Sequence, residues 1–291
     1  MSAVAGIVLA GGRSSRMGTP KAHLEWHGST LLRHITGVVG RAVDGPVIVV
    51  SAPGQSLPEL DPDVLVRSDP EKGRGPMQGL AVGLAAAAEH AETAFVCSTD
   101  LPFLHTAFIN AVLRGFHADP DAGWDTPPEM VLPIVHGFRQ PLAAGYRTEL
   151  ASRIADLLAG GHDRPGHLVA DCRARMLTEQ ELLADRTLAA LDPQLRAVRN
   201  VNTVEDYQDA RALPAPDVVV ERFGVLATAG RGHRGPSRLQ AANLASAAGQ
   251  LGLTLNGHIV AAVNGDHIRG DGGWPLQDGD TVAFLSADAG G

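Results

Sequence analysis

The chain has 291 residues, 44% of them hydrophobic and 19% charged, with a formal net charge of −8; that is room for about two globular domains and excludes broad contact with nucleic acid, so any basic site must be local. No apolar run approaches the roughly 20 residues needed to cross a bilayer, and the opening MSAVAGIVLAGG has no basic region before its short apolar run, so a cytoplasmic protein without membrane contact is expected. The 2 cysteines, Cys97 and Cys172, lie far apart without CxxC spacing and the 12 histidines include no HExxH, so neither a disulfide framework nor a transition-metal site is expected.

From Gly6 to Leu213 short apolar runs alternate with amphipathic stretches. Strands are predicted at Gly6–Ala10, Pro46–Ser51, Val64–Arg67, Thr93–Ser98 and Met130–Val135, and helices between them at Thr30–Val43, Met77–His90 and His105–His117. This alternation predicts an α/β fold, Rossmann-like, with a mainly parallel sheet covered by helices on both faces. Ligands of such sheets bind beyond the carboxyl ends of the strands, which here are the loop after Leu9, Ser51, the Ser68-Asp69 region and Asp100. VHGFRQPLAAGY, Val135–Tyr146, reads as a strand, a His-Gly turn and a second strand. Helices follow at Thr148–Leu158, Glu179–Leu191 and Thr203–Leu213, the last opening on TVED, in which Thr203 caps and Asp206 stands three residues on. PAPD, Pro214–Asp217, cannot continue a helix and makes a stiff spacer. A domain over 1–213, a linker over 214–217 and a second domain over 218–291 are therefore expected. In the second, DVVVERFGVLATAG reads as a strand leading into a short helix, Leu239–Leu251 as a small amphipathic helix, and HIVAAVNGDHI and DTVAFLSA as strands, with Asp278-Gly279 marking a turn.

LAGGRSSRMGTPK, Leu9–Lys21, leaves the first strand through two glycines and sets two arginines and a lysine close together. Gly11 and Gly12 let the backbone turn sharply and leave its N–H groups unshielded. Arg13, Arg16 and Lys21 add charge suited to phosphate, arginine as a fixed planar fork and lysine as a mobile point charge; Lys21 is one of only 2 lysines. The loop has neither the GxxxxGK[ST] nor the GxGxxG pattern, which leaves an ordinary solvated turn or an anion-binding loop of another type. GRGPMQGL, Gly73–Leu80, opens a helix with glycines that let a ligand approach and with free N–H groups at the helix start, although proline in a first helical turn is also ordinary. In CSTDLPFL, Cys97–Leu104, Asp100 stands at the end of an apolar strand, placed either to bind magnesium or to cap the next helix. NVNT, Asn200–Thr203, precedes a helix, as turn and cap residues do.

Together, LAGG, RSSRMG with Pro20-Lys21, GPMQGL and the aspartate of CSTDLPFL resemble nucleotidyltransferases of the molybdenum cofactor guanylyltransferase type, over roughly Val4–Leu213. The resemblance implies transfer of GMP from GTP to molybdopterin, or to its molybdenum form, with Mg2+ as cofactor. It implies nucleotide contacts at Leu9, Ala10, Gly11, Gly12, Gly18, Asp69, Gly75, Pro76 and Gly79. It also implies Arg13, Arg16, Lys21 and Asp100 as catalytic residues, with Asp100 holding the metal, and an acceptor side at Arg139, Gln140, Asn200 and Asn202. The related cytidylyltransferases favour LAAG and lack the GP-x-x-GL run, so the loops here favour guanine over cytosine. Ser51 stands where the family pattern has asparagine, and GGHDRPG, Gly160–Gly166, is only loosely similar; both departures bear on the acceptor side. The rival readings are a nucleotidyltransferase using CTP or a sugar phosphate, and a non-catalytic scaffold carrying a ubiquitin-like module.

From about Asp217 the chain resembles the small, sulfur-carrying subunit of molybdopterin synthase, a β-grasp, ubiquitin-like protein, through RFGVLATAG, AAVNGDHI, LQDGDTVAFL and the final AGG. That resemblance implies a small β-grasp domain whose Gly290-Gly291 end is adenylated by a ubiquitin-activating-like adenylyltransferase, converted to a thiocarboxylate, and consumed by the large subunit of molybdopterin synthase. The pattern departs between Arg231 and Gln240, where the usual second strand is short or absent.

Overall fold

The computed structural model describes residues 3–11, 18–71, 75–117, 126–227, 235–256, 258–268 and 272–286. In chain order they form β1 (Val4–Leu9), β2 (Glu25–Trp26), β3 (Ser29–Thr30), α1 (Leu31–Gly40), β4 (Val47–Ser51), β5 (Leu65–Ser68), α2 (Pro76–Ala87), β6 (Thr93–Ser98) and α3 (Thr106–Arg114). Then come β7 (Met130–Val135), β8 (Phe138–Arg139), β9 (Ala143–Arg147), α4 (Leu150–Ala159), α5 (Pro165–Asp171), β10 (Ala174–Leu177), α6 (Glu179–Leu183), α7 (Arg186–Leu191) and α8 (Val204–Arg211). The last elements are β11 (Asp217–Arg222), β12 (Ser237–Gln240), α9 (Leu244–Gln250), β13 (Ile259–Val263), β14 (Asp266–Ile268) and β15 (Thr281–Ser286). The chain divides into two units, Met1–Leu24 with Thr30–Tyr207, and Glu25–Ser29 with Gln208–Gly291. Among the described residues no helix is long and apolar enough to cross a membrane.

The first unit is built on a sheet in the order β10-β7-β9-β6-β1-β4-β5, with β8 paired to β7. Its central strands are near-continuous apolar runs because both faces are covered; all five residues of β4 and the last five of β1 are buried. The strands β6, β1, β4 and β5 run parallel, as do β7 and β10, while β9 runs antiparallel between β6 and β7. The sheet is therefore mainly parallel in a mixed α/β fold. Alternate residues of the strands, such as Ala5, Ile7 and Leu9, join Met77, Leu80 and Leu84 of α2 and Leu150 and Ile154 of α4 in one apolar core. Each fully buried Ile or Leu contributes about 1.5–3 kcal/mol. Helices α1 and α3 pack on the sheet as well, α1 along β1 and β4 and α3 along β7 and β9.

The second unit has a sheet in the order β12-β11-β15-β13-β14. Its central pair, β11 and β15, is parallel, and the outer pairs are antiparallel. Val218 and Val220 of β11, Val282 and Phe284 of β15 and Ala261 and Val263 of β13 turn one face onto Leu244, Ala247 and Ala248 of α9, the period-two burial of a sheet covered on one side. In the same unit the Asn243 side-chain amide donates to the His27 carbonyl at 3.0 Å, and Arg211 pairs with Glu25.

Several elements differ from the sequence expectation for identifiable reasons. Leu239 belongs to β12, opposite Val218, because Ser237–Gln240 completes an antiparallel ladder with β11. The helix starts only at Leu244, where Asn243 caps it by accepting from the Ser246 N–H at 2.8 Å. The helix expected over Glu179–Leu191 is two, since Asp185 accepts from the Leu188 N–H at 2.7 Å and starts a new one. His136 and Gly137, at φ 52° and 78°, make the two-residue turn from β7 to β8; the next full strand, β9, leaves that hairpin to pair with β6 and β7. The hairpin of β2 and β3, helix α5 and strand β10 have no counterpart in the sequence reading.

Candidate active site

At the carboxyl ends of β1, β4 and β6 the first unit opens into a cleft of about 970 Å³. Of the residues singled out in the sequence, Leu9, Gly11, Asp69, Gly75, Pro76, Gly79, Asp100, Arg139, Gln140 and Asn200 line it. Ala10, Gly18, Lys21 and Asn202 are described but are not on its wall. Gly12, Arg13, Arg16, Gly290 and Gly291 lie outside the described residues.

The floor is set by main-chain contacts. The Ala10 N–H donates to the Val50 carbonyl at 2.9 Å, which carries the β1–β4 ladder one step further, and Gly11 follows so close to β4 that a Cβ there would stand 3.2 Å from the Ala52 nitrogen. Gln55 braces this corner: its amide donates to the Ala10 carbonyl at 3.0 Å and its side-chain oxygen accepts from the Ala52 N–H at 2.9 Å. No motif in the sequence marks Gln55. Thr99 is buried and ties the two key loops together, its hydroxyl donating to the Leu9 carbonyl at 3.1 Å.

Helix α2 presents its start to the cleft. Gly75 is its N-cap with φ 77°, a left-handed conformation that favours glycine, and as glycine it brings no side chain of its own to cap the helix. A helix start of this kind presents its first-turn N–H groups as donors that suit an anionic or carbonyl partner. Further along, a Cβ on Gly79 would stand 3.4 Å from Leu9 Cδ2, so the small residue lets the helix lie close to β1. Asp69 closes the same side: its N–H donates to the Ser51 carbonyl at 2.8 Å and its carboxylate accepts from the Glu71 N–H at 2.9 Å. Ser51 is buried and lines the cleft.

The charged centre joins three distant segments. Lys21, in a single 3-10 turn over Lys21–His23, donates from Nζ to Asp100 Oδ2 at 2.7 Å and to Asn202 Oδ1 at 2.9 Å. The second oxygen of Asp100 accepts from the Ser98 hydroxyl at 2.5 Å, and its carbonyl accepts from the Val201 N–H at 2.9 Å. Asn202 and Thr203 are held in turn by Asp206, whose carboxylate accepts from both N–H groups at 3.0 and 2.9 Å. Those backbone bonds lower the Asp206 pKa from its ordinary value. Behind the site, burial and then the charge of Asp100 push the Cys97 thiol far up, so it remains protonated and inert.

On the opposite wall the Gln140 N–H donates to the Pro133 carbonyl at 2.9 Å, and Arg139 is exposed on the short strand β8. Among the described residues no three His, Cys, Asp or Glu side chains gather as a metal cage. One cleft-lining carboxylate, Asp100, with the rest of the shell from water and phosphate, is nonetheless a donor set that suits a hard cation such as magnesium.

Residues 6–176 match the family of the MobA-like NTP transferase domain. The chain belongs to that family. It is a nucleotidyltransferase. The chain is 39% identical over 216 residues to the "probable molybdenum cofactor guanylyltransferase" of Mycobacterium ulcerans (strain Agy99), covering 73% of this chain and 92% of that one. It is 40% identical over 187 residues to the protein of the same name from Mycobacterium avium (strain 104), covering 62% and 89%. The fold is also similar to the crystal structure of molybdopterin-guanine dinucleotide biosynthesis protein A from Archaeoglobus fulgidus, with a TM-score of 0.52 at 18% identity, covering 71% of this chain and 96% of that one.

Proposed function

We propose that the first unit transfers GMP from GTP to molybdopterin or its molybdenum form and releases pyrophosphate. In this reading a phosphate oxygen of the acceptor attacks the α-phosphorus of GTP, a new P–O bond forms, and the bond to the bridging oxygen of pyrophosphate breaks. The protein's part is to hold two anions in line and to neutralise the charge that develops as they meet. The N–H groups around Gly11 and at the start of α2 face the nucleotide, and Leu9, Asp69, Gly75, Pro76 and Gly79 shape its pocket; Ala10, Gly12 and Gly18 are further nucleotide contacts in this reading, and Lys21 with Arg13 and Arg16 supplies positive charge. Asp100 would hold Mg2+, which when bound neutralises phosphate charge. Arg139, Gln140, Asn200 and Asn202 form the acceptor side.

The observation that carries this reading is the 2.7 Å contact of Lys21 with Asp100 at the strand ends of a nucleotidyltransferase fold. The choice of guanine is supported by the loops LAGG and GPMQGL and by relatives named as guanylyltransferases. Pyrophosphate release measured with molybdopterin and Mg2+ tests it: GTP should be used in preference to CTP. Equal release from both makes the protein a less selective nucleotidyltransferase, and no release from either leaves the scaffold reading.

We infer further that the part from about 218 on, after the 214–217 linker that closes a 1–213 transferase domain, is a β-grasp, ubiquitin-like sulfur carrier. The sheet order with its parallel central pair supports this, and the expected second strand, β12, has only four residues. Its partners would be the large subunit of molybdopterin synthase and a ubiquitin-activating-like adenylyltransferase, all in the cytoplasm. Incubation with such an enzyme, ATP and a sulfur donor should replace one oxygen of the Gly291 carboxylate by sulfur, a gain of about 16 mass units on an activated acyl group. An unchanged mass would rule out the carrier role.

A further inference from the structure

Asp100 has two oxygens and two different neighbours. Lys21 Nζ reaches Oδ2 at 2.7 Å, and the Ser98 hydroxyl reaches Oδ1 at 2.5 Å. The Ser98 contact lies within the range of a hydrogen bond from a hydroxyl to a charged carboxylate. Ser98 can serve this way because it ends β6: it pairs opposite Leu9 of β1, and its N–H donates to the Leu142 carbonyl at 3.2 Å. Its main chain is thus fixed between β1 and the residue that leads into β9, and its side chain lines the cleft beside Asp100. Asp100 itself is just past the strand, where the chain turns, and its main-chain oxygen accepts from the Val201 N–H at 2.9 Å.

We propose that Ser98 is a positioning residue for the transfer reaction, acting by holding the Asp100 carboxylate so that Oδ1 is tied to the strand and Oδ2 faces Lys21 and the substrate phosphates. The proposal rests on the reading of the cleft as the GMP-transfer site. A carboxylate with two free torsions spends part of its time in other rotamers; a hydrogen bond from a rigid strand end removes that freedom without adding charge to the site. The Ser98 hydroxyl is donated to Asp100 Oδ1, so in this proposal its effect passes through that carboxylate.

The test is a double-mutant cycle on the full chain with S98A, S98T and D100N, read as pyrophosphate release from GTP with molybdopterin and Mg2+ and, independently, as Mn2+ affinity in the presence of GTP by electron paramagnetic resonance. S98A should lower turnover and weaken Mn2+ binding by about tenfold, as loss of an outer partner of a metal-binding carboxylate does. Its melting temperature should stay within about 2 °C of the parent. S98T, which keeps the hydroxyl, should restore both readouts to within about threefold. S98A added to D100N should change nothing further, since the group it positions is altered already. Losses that multiply in the double variant, or S98A with normal turnover or Mn2+ affinity beside an impaired D100N, overturn the role of Ser98 alone. Normal turnover in D100N overturns both this role and the reading of Asp100 on which it rests.

Discussion

Lys21 and Asp100 stand 79 positions apart in the chain and 2.7 Å apart in space, with 20% and 18% of their side chains exposed. An ion pair still reached by water contributes about 1 kcal/mol or less to stability. A positive group aimed at charge that develops during reaction is worth far more to the rate. For K21A we therefore expect pyrophosphate release to fall about 10²- to 10³-fold while urea unfolding shows a loss of no more than about 1 kcal/mol. A variant that unfolds instead would give Lys21 a structural role. The same logic separates Lys21 from Gln55, whose two hydrogen bonds, to Ala10 and Ala52, are to main chain at the floor of the cleft and carry no charge.

Helix α2 matters at the level of the element because its glycines set its distance from the sheet. A Cβ on Gly83 would fall 2.6 Å from Ile7 Cγ2 and 3.3 Å from Val50 Cγ2, and both residues are buried in the sheet with no room to withdraw. Alanine is the better helix former by about 1 kcal/mol, but overpacking a tight core costs about 1–3 kcal/mol. We expect G83A to lose stability on balance by roughly 1 kcal/mol, and a gain in its urea midpoint would show that α2 can shift. Helix α8 is governed by its cap. The Asp206 carboxylate accepts from the Asn202 and Thr203 N–H groups, which lower its pKa, and the Asp206 N–H donates back to the Thr203 hydroxyl. A carboxylate with a lowered folded-state pKa stabilises above its unfolded value and loses that contribution as pH falls through the folded value. The stability difference between the parent and D206A should therefore be constant from neutral pH down to about pH 4, the ordinary aspartate value, and shrink below it. Urea titrations between pH 3 and 7 measure this, and a difference that persists at the acid end would assign the effect to something other than the carboxylate.

At the scale of the whole molecule, each unit has its own apolar core, the first between sheet and α2 with α4, the second between sheet and α9. Both cysteines belong to the first unit. Cys97 is fully buried, and burial, followed by the charge of Glu129, raises the half-buried Cys172 thiol to about 11. The thiolate is the reactive form, so alkylation of the native protein near pH 7.5 should be at least about a hundredfold slower than for free cysteine. In rising urea the labelling of Cys97 should appear in a single step that reports the opening of the first unit. Rapid labelling of Cys97 in native protein would contradict the packing of β6.

The local grammar of the chain determines much of this. The apolar runs Thr93–Ser98 and Met130–Val135 are strands with the bounds read from the sequence, because a strand covered on both faces is a near-continuous apolar run bounded by polar, charged or turn-forming residues. The loops that line the cleft are legible for the same reason, since a parallel sheet gathers its strand ends at one edge. Tertiary structure alone decided the rest. Leu239 has a helix-compatible pattern, yet it is a strand residue because the edge of β11 was open to pair. Strand β9 runs antiparallel between β6 and β7, a choice that depends on what its neighbours leave free. The contact of Lys21 with Asn202 spans 181 positions, and no periodicity reports it: spacing along the chain encodes which face a residue takes, whereas a meeting of distant side chains is set only when the sheet and its loops have closed around the cleft.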